Sequence, residues 1–70
     1  MRLVVNGEAR EERAATLMEL WRTETAELDV ESPQGFAIAL NGAVVRRAEW
    51  DATPLHEGDR VEIIRAMQGG

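Results

Sequence analysis

Apolar residues along the chain fall into short runs that are separated by asparagine, glycine and proline. The first run, residues 3–5, ends at an Asn-Gly pair, which readily supplies the positive φ angles of a type I′ hairpin turn. Residues 8–13 are then the returning strand, and we expect an exposed edge because few of them are apolar or β-branched. The chain is therefore predicted to begin with a β-hairpin.

A helix is predicted next, because Thr16 and Glu19 have the spacing of a capping box. In this motif the two side chains satisfy free amide groups of the first helical turn. Leu17, Leu20 and Trp21 follow at i, i+3 and i+4, a spacing that gathers side chains on one face of a helix. We expect that face to be buried.

An acidic segment, residues 24–31, covers the end of the predicted helix and the chain that follows it. Its apolar residues Leu28 and Val30 are expected to continue the contact with the core. The sequence assigns no role to the carboxylates of this segment. Pro33 and Gly35 then end any regular element before the next strand.

Residues 36–40 alternate large apolar side chains with alanine, which predicts a central strand that is buried on one face and close-packed on the other. A second Asn-Gly pair turns the chain into a short strand at Val44 and Val45. Residues 47–54 are too short and too mixed for a full helix, and residues 61–66 are the last apolar strand. This order predicts an α+β fold, a β-grasp with four to five strands in a mixed sheet on one main helix. The first and last strands are expected to be adjacent and parallel.

Size and composition limit what the chain does by itself. A domain of 70 residues buries about 60% of the surface of its unfolded chain, which leaves room for one core and argues against a self-sufficient enzyme. There is no cysteine, so no thiolate metal site or cysteine nucleophile is available. The formal charge of -5 disfavours nucleic-acid binding. No apolar run approaches bilayer length and no signal-peptide core is found, so we expect a cytoplasmic protein.

Several conspicuous side chains are interpreted as structural. Trp21 and Trp50 are predicted to pack in the interior, and His56 to be exposed without a catalytic role. Partners of small β-grasp domains commonly bind the outer face of the sheet. Which side chains lie on that face depends on strand register, because a slip of one residue reverses every side chain.

The chain closes on Gly69 and Gly70, directly after the last predicted strand. Because glycine has no Cβ, such a segment threads a channel that is too narrow for a branched residue. We expect residues 1–66 to form one domain and residues 67–70 a flexible tail, which reaches roughly 13 Å at full extension. A frayed terminus without function is the alternative.

The C-terminal half resembles the ThiS family, the sulfur carriers of thiamine thiazole synthesis. The matching residues lie in two turns, a short segment, the last strand and the chain end: Asn41, Gly42, Val44, Val45, Arg47, Trp50, Leu55, Gly58, Asp59, Val61, Glu62, Ile63, Gln68, Gly69 and Gly70. The first hairpin and the helix start fit the same pattern more loosely. The resemblance implies a ubiquitin-like β-grasp fold over the whole chain.

The resemblance also implies that the chain is a sulfur-donating co-substrate and not an enzyme. An E1-like enzyme, which holds ATP and magnesium, adenylates the terminal carboxylate of Gly70. A persulfide donor, such as a cysteine desulfurase, displaces AMP, and the resulting thiocarboxylate passes sulfur to thiazole synthase. The chain itself is expected to bind no cofactor and no metal. Five neighbouring residues are expected to contact these partners: Gly69, Gln68, Met67, Ala66 and Ile64.

Other functions remain open at this point. The small subunit of molybdopterin synthase also ends in Gly-Gly but usually carries prolines before it, where this chain has residues 65–68. Sulfur carriers of other pathways share the same mechanism. A TGS-type RNA-associated domain has a similar Asn-Gly hairpin and Gly-Asp turn but does not need a free Gly-Gly end. A ubiquitin-like protein modifier would instead form isopeptide bonds with other proteins.

Overall fold

The computed structural model describes residues 1–30 and 32–65. Glu31, Ala66 and the predicted tail of residues 67–70 lie outside this range. The elements are β1 (Arg2–Val5), β2 (Glu8–Glu11), α1 (Leu17–Glu24), β3 (Phe36–Leu40), β4 (Ala43–Val45), a 3₁₀ helix (Arg47–Ala52) and β5 (Arg60–Arg65). Their order confirms the predicted α+β pattern, and the 3₁₀ helix lies in the segment that the sequence indicates is too short for a full helix.

The five strands form one mixed sheet in the order β2-β1-β5-β3-β4. β1 and β5 are parallel, as predicted, while β5 is antiparallel to β3. The β3–β5 ladder runs from Leu40, opposite Val61, to Phe36, opposite Arg65. The last strand is therefore central, with a neighbour on each side.

Helix α1 packs on one face of this sheet and encloses the core. Ten apolar side chains of the described residues are buried: Leu3, Val5, Ala14, Leu17, Leu20, Trp21, Ile38, Trp50, Leu55 and Val61. Both tryptophans are interior, as predicted, with ring centres 6.3 Å apart. The Trp50 Nε1–H donates to the carbonyl oxygen of Val45 at 2.9 Å, which ties the 3₁₀ helix to β4.

The capping box confirms why the helix begins where it does. The Thr16 hydroxyl oxygen accepts from the backbone N–H of Glu19 at 3.2 Å. The Glu19 carboxylate accepts from the N–H of Ala15 at 3.0 Å, so it satisfies the residue before the cap. Leu17, Leu20 and Trp21 are all buried, as their spacing predicts.

The expectation for Leu28 was wrong, whereas Val30 does pack against the core. Leu28 is 47% exposed. Helix α1 ends at Glu24, so the helical spacing that would carry Leu28 to the buried face no longer applies. Thr25 takes the last buried position instead, and its hydroxyl donates to the carbonyl oxygen of Trp21 at 2.8 Å.

Both Asn-Gly turns also hold β5 through their asparagine side chains. Asn6 and Asn41 have positive φ angles of 50° and 51°, as the predicted turns require. The Asn6 Oδ1 accepts from the N–H of Ile63 at 2.8 Å. On the opposite edge of β5, the Asn41 Oδ1 accepts from the N–H of Arg60 at 2.9 Å, and its Nδ2 donates to Asp59 at 3.0 Å. The turns therefore clamp the central strand from both sides.

Replacing Asn41 by glycine is expected to destabilise the fold more than the same replacement of Asn6. Asn41→Gly keeps a residue that tolerates positive φ but removes two side-chain hydrogen bonds, whereas Asn6→Gly removes one. At about 1 kcal/mol for each bond, we expect losses of about 2 and about 1 kcal/mol in the free energy of unfolding. Urea denaturation measures both values. Each variant introduces one glycine, so the gain in entropy of the unfolded chain is the same for both and does not affect the comparison. Equal losses would contradict the assignment of two stabilising bonds to Asn41 and one to Asn6, and no loss in either variant would contradict the two-sided clamp.

Candidate functional site

β5, the strand that precedes the predicted functional segment in the sequence, lies in the middle of the sheet. Ile64 and Arg65 are the last two residues of this strand, and they lead directly into residues 66–70. Five of the predicted site residues lie outside the described residues: Ala66, Met67, Gln68, Gly69 and Gly70. Ile64 is the predicted site residue that the structure places, and its side chain is 55% exposed.

Ile64 lies on the sheet face that is turned away from α1. Ile64 pairs with Ala37 of β3. On the same face, Ala39 of β3 pairs with Val44 of β4. Val44 is 77% exposed. We call Ile64, Ala37, Ala39 and Val44 the helix-free patch; Ala37 lies beside Ile64, and Ala39 lies between Val44 and Glu62.

The helix-free patch was only partly predicted. The alternation of residues 36–40 correctly predicted that Ile38 is buried, but the expectation that the alanine face is close-packed was wrong: Ala37 is exposed. No element among the described residues covers that face, since α1 packs on the other one. In the sequence, the alternating alanines of β3 were the sign of this face. Only the strand register shows that Val44 and Ile64 lie on the same face.

The two ends of β5 differ in chemical character on the helix-free side. Near its start, Arg60 pairs with Val4, and Glu62 pairs with Ala39. A shallow depression at this start is lined by Val4, Asn6, Gly7, Arg60, Val61 and Glu62. Among the β5 side chains on this face, the apolar Ile64 therefore lies at the end that leads to residues 66–70, after the charged Arg60 and Glu62.

Arg65 lies over an aromatic ring at the end of the β3–β5 ladder. The carbon of its guanidinium group is 5.5 Å from the centre of the Phe36 ring. On the helix side of the sheet, Phe36 also contacts Trp21 edge to face, with ring centres 5.5 Å apart and planes at 78°. This stack could not be predicted from the sequence, because Phe36 and Arg65 come together only through strand register.

The described titratable groups with shifted pKa values have structural partners. The Asn41 side chain, which donates to Asp59, holds the pKa of that carboxyl below its ordinary value, and the N–H of His56 adds to the effect. Hydrogen bonding to Glu24 raises the pKa of Arg10 and joins β2 to the end of α1. The His56 side chain is 76% exposed, as expected.

Residues 1–30 and 32–65 contain neither a membrane-spanning helix nor a cluster of metal-binding side chains. Neither helix in this part of the chain is long and apolar enough to cross a membrane. No three acidic or histidine side chains come together there in an arrangement that would hold a metal ion.

A mixed sheet with its last strand beside its first, packed on one helix, is the ubiquitin-like β-grasp architecture. Within this class, the sequence model of the ThiS family matches residues 3–70. The chain belongs to the ThiS family. The match confirms the resemblance that the C-terminal half indicated, and it extends over the first hairpin and α1 as well.

Two solved structures of a thiamine biosynthesis protein (ThiS) from Geobacter metallireducens are similar to this chain. The crystal structure has 34% sequence identity and a TM-score of 0.72, and the match covers 100% of both chains. The solution structure has 34% identity and a TM-score of 0.71, and it covers 100% of this chain and 88% of the other. A comparison with curated proteins gives no match. Membership of this family supports the class that the sequence indicated, a small sulfur carrier.

Lowering the pH should destabilise the fold through Asp59. Because the pKa of Asp59 is depressed in the folded protein, its ionised form contributes stability above the unfolded pKa of about 3.9, and this contribution is lost as the pH falls through the folded value. An NMR titration of the carboxyl carbon measures the shift directly. Asn41→Gly removes the donor and should raise the pKa of Asp59, whereas Asn6→Gly should leave it unchanged. An unchanged pKa in Asn41→Gly would contradict the assigned cause.

Proposed function

We propose that this protein carries sulfur as a thiocarboxylate at Gly70 and delivers it for formation of the thiamine thiazole ring. The observation that carries the proposal is the ThiS family match, which runs through Gly70. In this role the chain is a co-substrate that other enzymes act on, and we place its cycle in the cytoplasm. The proposal requires Gly70 to be the last residue of the mature chain.

The chemistry begins with a carboxylate that is ionised at neutral pH, since the α-carboxyl pKa is about 3.5. An ionised carboxylate is a poor electrophile, but it attacks the α-phosphate of ATP and releases pyrophosphate. The product is an acyl adenylate, from which a persulfide displaces AMP to give an acyl disulfide. Two electrons from a thiol or another reductant then split the sulfur–sulfur bond and leave a thiocarboxylate on Gly70.

Sulfur bound in this way does not need a cysteine side chain, and this chain has none. The other components come from partners. An E1-like activating enzyme supplies ATP and magnesium, a cysteine desulfurase or similar donor supplies the persulfide, and thiazole synthase takes the sulfur. After transfer and hydrolysis, the carboxylate of Gly70 is restored for another cycle.

The activating enzyme must distinguish one terminal carboxylate from thirteen side-chain carboxylates. We propose that Met67, Gln68 and Gly69 enter its active site together with Gly70, because an end that closes on two glycines fits a narrow channel. The body of the carrier stays outside. Selection is then steric, since none of the thirteen acidic side chains lies on a comparable unbranched segment.

We further propose that the helix-free patch is the surface that the activating enzyme contacts. Val44 and Ile64 are two of the four large apolar side chains that are exposed among the described residues, and both lie on this face. Ile64 is also the second-to-last residue of β5, and only Arg65 separates it from residues 66–70. A partner that holds the chain end would therefore lie close to Ile64. Burying the exposed part of such side chains against an apolar partner surface favours association, by less than the about 1.5–3 kcal/mol of a fully exposed side chain.

Sulfur transfer is tested with the activating enzyme and desulfurase of the same source. The purified carrier is incubated with both enzymes, ATP, magnesium and cysteine, and its intact mass is recorded. We expect one oxygen to be replaced by sulfur, and fragmentation should place the change at Gly70.

Gly69→Val should abolish this conversion, because a β-branched residue does not fit the channel. Ala26→Val, on the exposed turn after α1, is the matched control and should react normally. Normal yield from Gly69→Val, or sulfur at another position, would refute the mechanism.

Contact through the helix-free patch is tested with two substitutions that keep β-branched side chains. Ile64→Thr and Val44→Thr together should raise the KM of the activating enzyme for the carrier about ten-fold, which corresponds to about 1.4 kcal/mol of lost binding. Each should change the free energy of unfolding by less than about 0.5 kcal/mol, because both sites are exposed. Leu28→Thr alters an exposed apolar residue elsewhere and should leave KM unchanged. A normal KM for the double variant would remove the patch from the interface.

A further inference from the structure

The stack of Arg65 on Phe36 connects the core to the residue that directly precedes the predicted functional segment, residues 66–70. These two residues are the last pair of the β3–β5 ladder, and the guanidinium carbon lies 5.5 Å from the ring centre. A guanidinium group over an aromatic face at this distance is attracted by the negative potential of the ring. The contact therefore reinforces the pairing of the two strands at the point where β5 ends.

The ring that receives Arg65 is itself held by the core. Phe36 is half-buried, and the edge contact with Trp21 fixes it against α1. Trp21 is only 6% exposed. A chain of contacts thus runs from the buried face of α1 through Phe36 to Arg65, the residue that directly precedes Ala66.

We propose that this stack fixes the position of Arg65, the residue from which the chain continues to its reactive end, and that Phe36 is a positioning residue that acts through Arg65. The inference rests on the proposed function. If the last pair of the ladder separated, the released residues would have to be ordered again when the end is bound, at a cost in conformational entropy. The starting point of the end would also shift by about 3.3 Å for each released residue, which is enough to misplace a reacting carboxylate.

The stack and the helix-free patch lie on opposite faces of the sheet, so their effects on catalysis are separable. The patch contributes to binding of the body and thus to KM. The stack acts after the body has bound, when the end is delivered to the active site, and it should therefore change kcat. A role of Phe36 in overall stability alone would leave both constants unchanged at a temperature where every variant is folded.

The test measures adenylation of the carrier by the activating enzyme as ATP–pyrophosphate exchange. Phe36→Leu removes the ring, Phe36→Tyr keeps it, and Arg65→Gln removes the cation. We expect Phe36→Leu and Arg65→Gln each to lower kcat about two- to five-fold with KM unchanged, the factor that corresponds to an exposed cation–π contact. Phe36→Tyr should retain the wild-type kcat. The variant that combines Phe36→Leu with Arg65→Gln should be no slower than either single variant, because both substitutions remove the same contact.

NMR order parameters supply a second measurement that does not depend on activity. In Phe36→Leu and in Arg65→Gln, the backbone amides of Ile64 and Arg65 should become more mobile than in the wild type. Unchanged order parameters in both variants would overturn the proposal. A normal kcat in Phe36→Leu together with a slow Arg65→Gln would also overturn it, since Arg65 would then act without the ring. If the wild-type carrier is not adenylated at all, the proposed function fails, whereas a fast wild type with unaffected variants refutes only this inference.

Discussion

The pairing of β5 between β1 and β3 is the constraint on which the rest of the structure depends. One neighbour is parallel and the other antiparallel, and both Asn-Gly turns add side-chain hydrogen bonds to the same strand. The last strand of the chain is thus held in the middle of the sheet, where fraying would break contacts on two sides. A segment that follows such a strand starts from a fixed position, which is what the proposed delivery of Gly70 to a partner requires.

The two faces of the sheet differ in burial. On the helix side, the buried residues of β1, β3 and β5 pack against α1, with little room for change at Leu3, Ile38 or Val61. On the other side, alanines on β3 leave exposed side chains of β4 and β5 without a covering element among the described residues. A substitution on one face therefore leaves the packing of the other largely unaffected, so the proposed partner contact and the stability of the fold can change independently.

The sequence predicted most of the fold and only part of the candidate site. The element order, the capping box of Thr16, the two positive-φ turns and the parallel first and last strands were all predicted correctly. Ile64 was predicted as a partner residue and is exposed. Val44 and Phe36 were not assigned to the site, because each joins it only through a cross-strand neighbour. Leu28 was misplaced because its apolar character alone was taken to indicate contact with the core, whereas α1 ends at Glu24 and leaves it exposed.

Local physical chemistry determined what the sequence could predict by itself. Turn conformations, helix capping and the alternation of side chains depend on residues within a few positions of each other, so the order of residues specifies them directly. The tertiary structure alone decided the contacts of Asn6 with Ile63 and of Phe36 with Arg65, which join distant parts of the chain. Such contacts depend on strand register, and register depends on how all five strands pack against the helix at once.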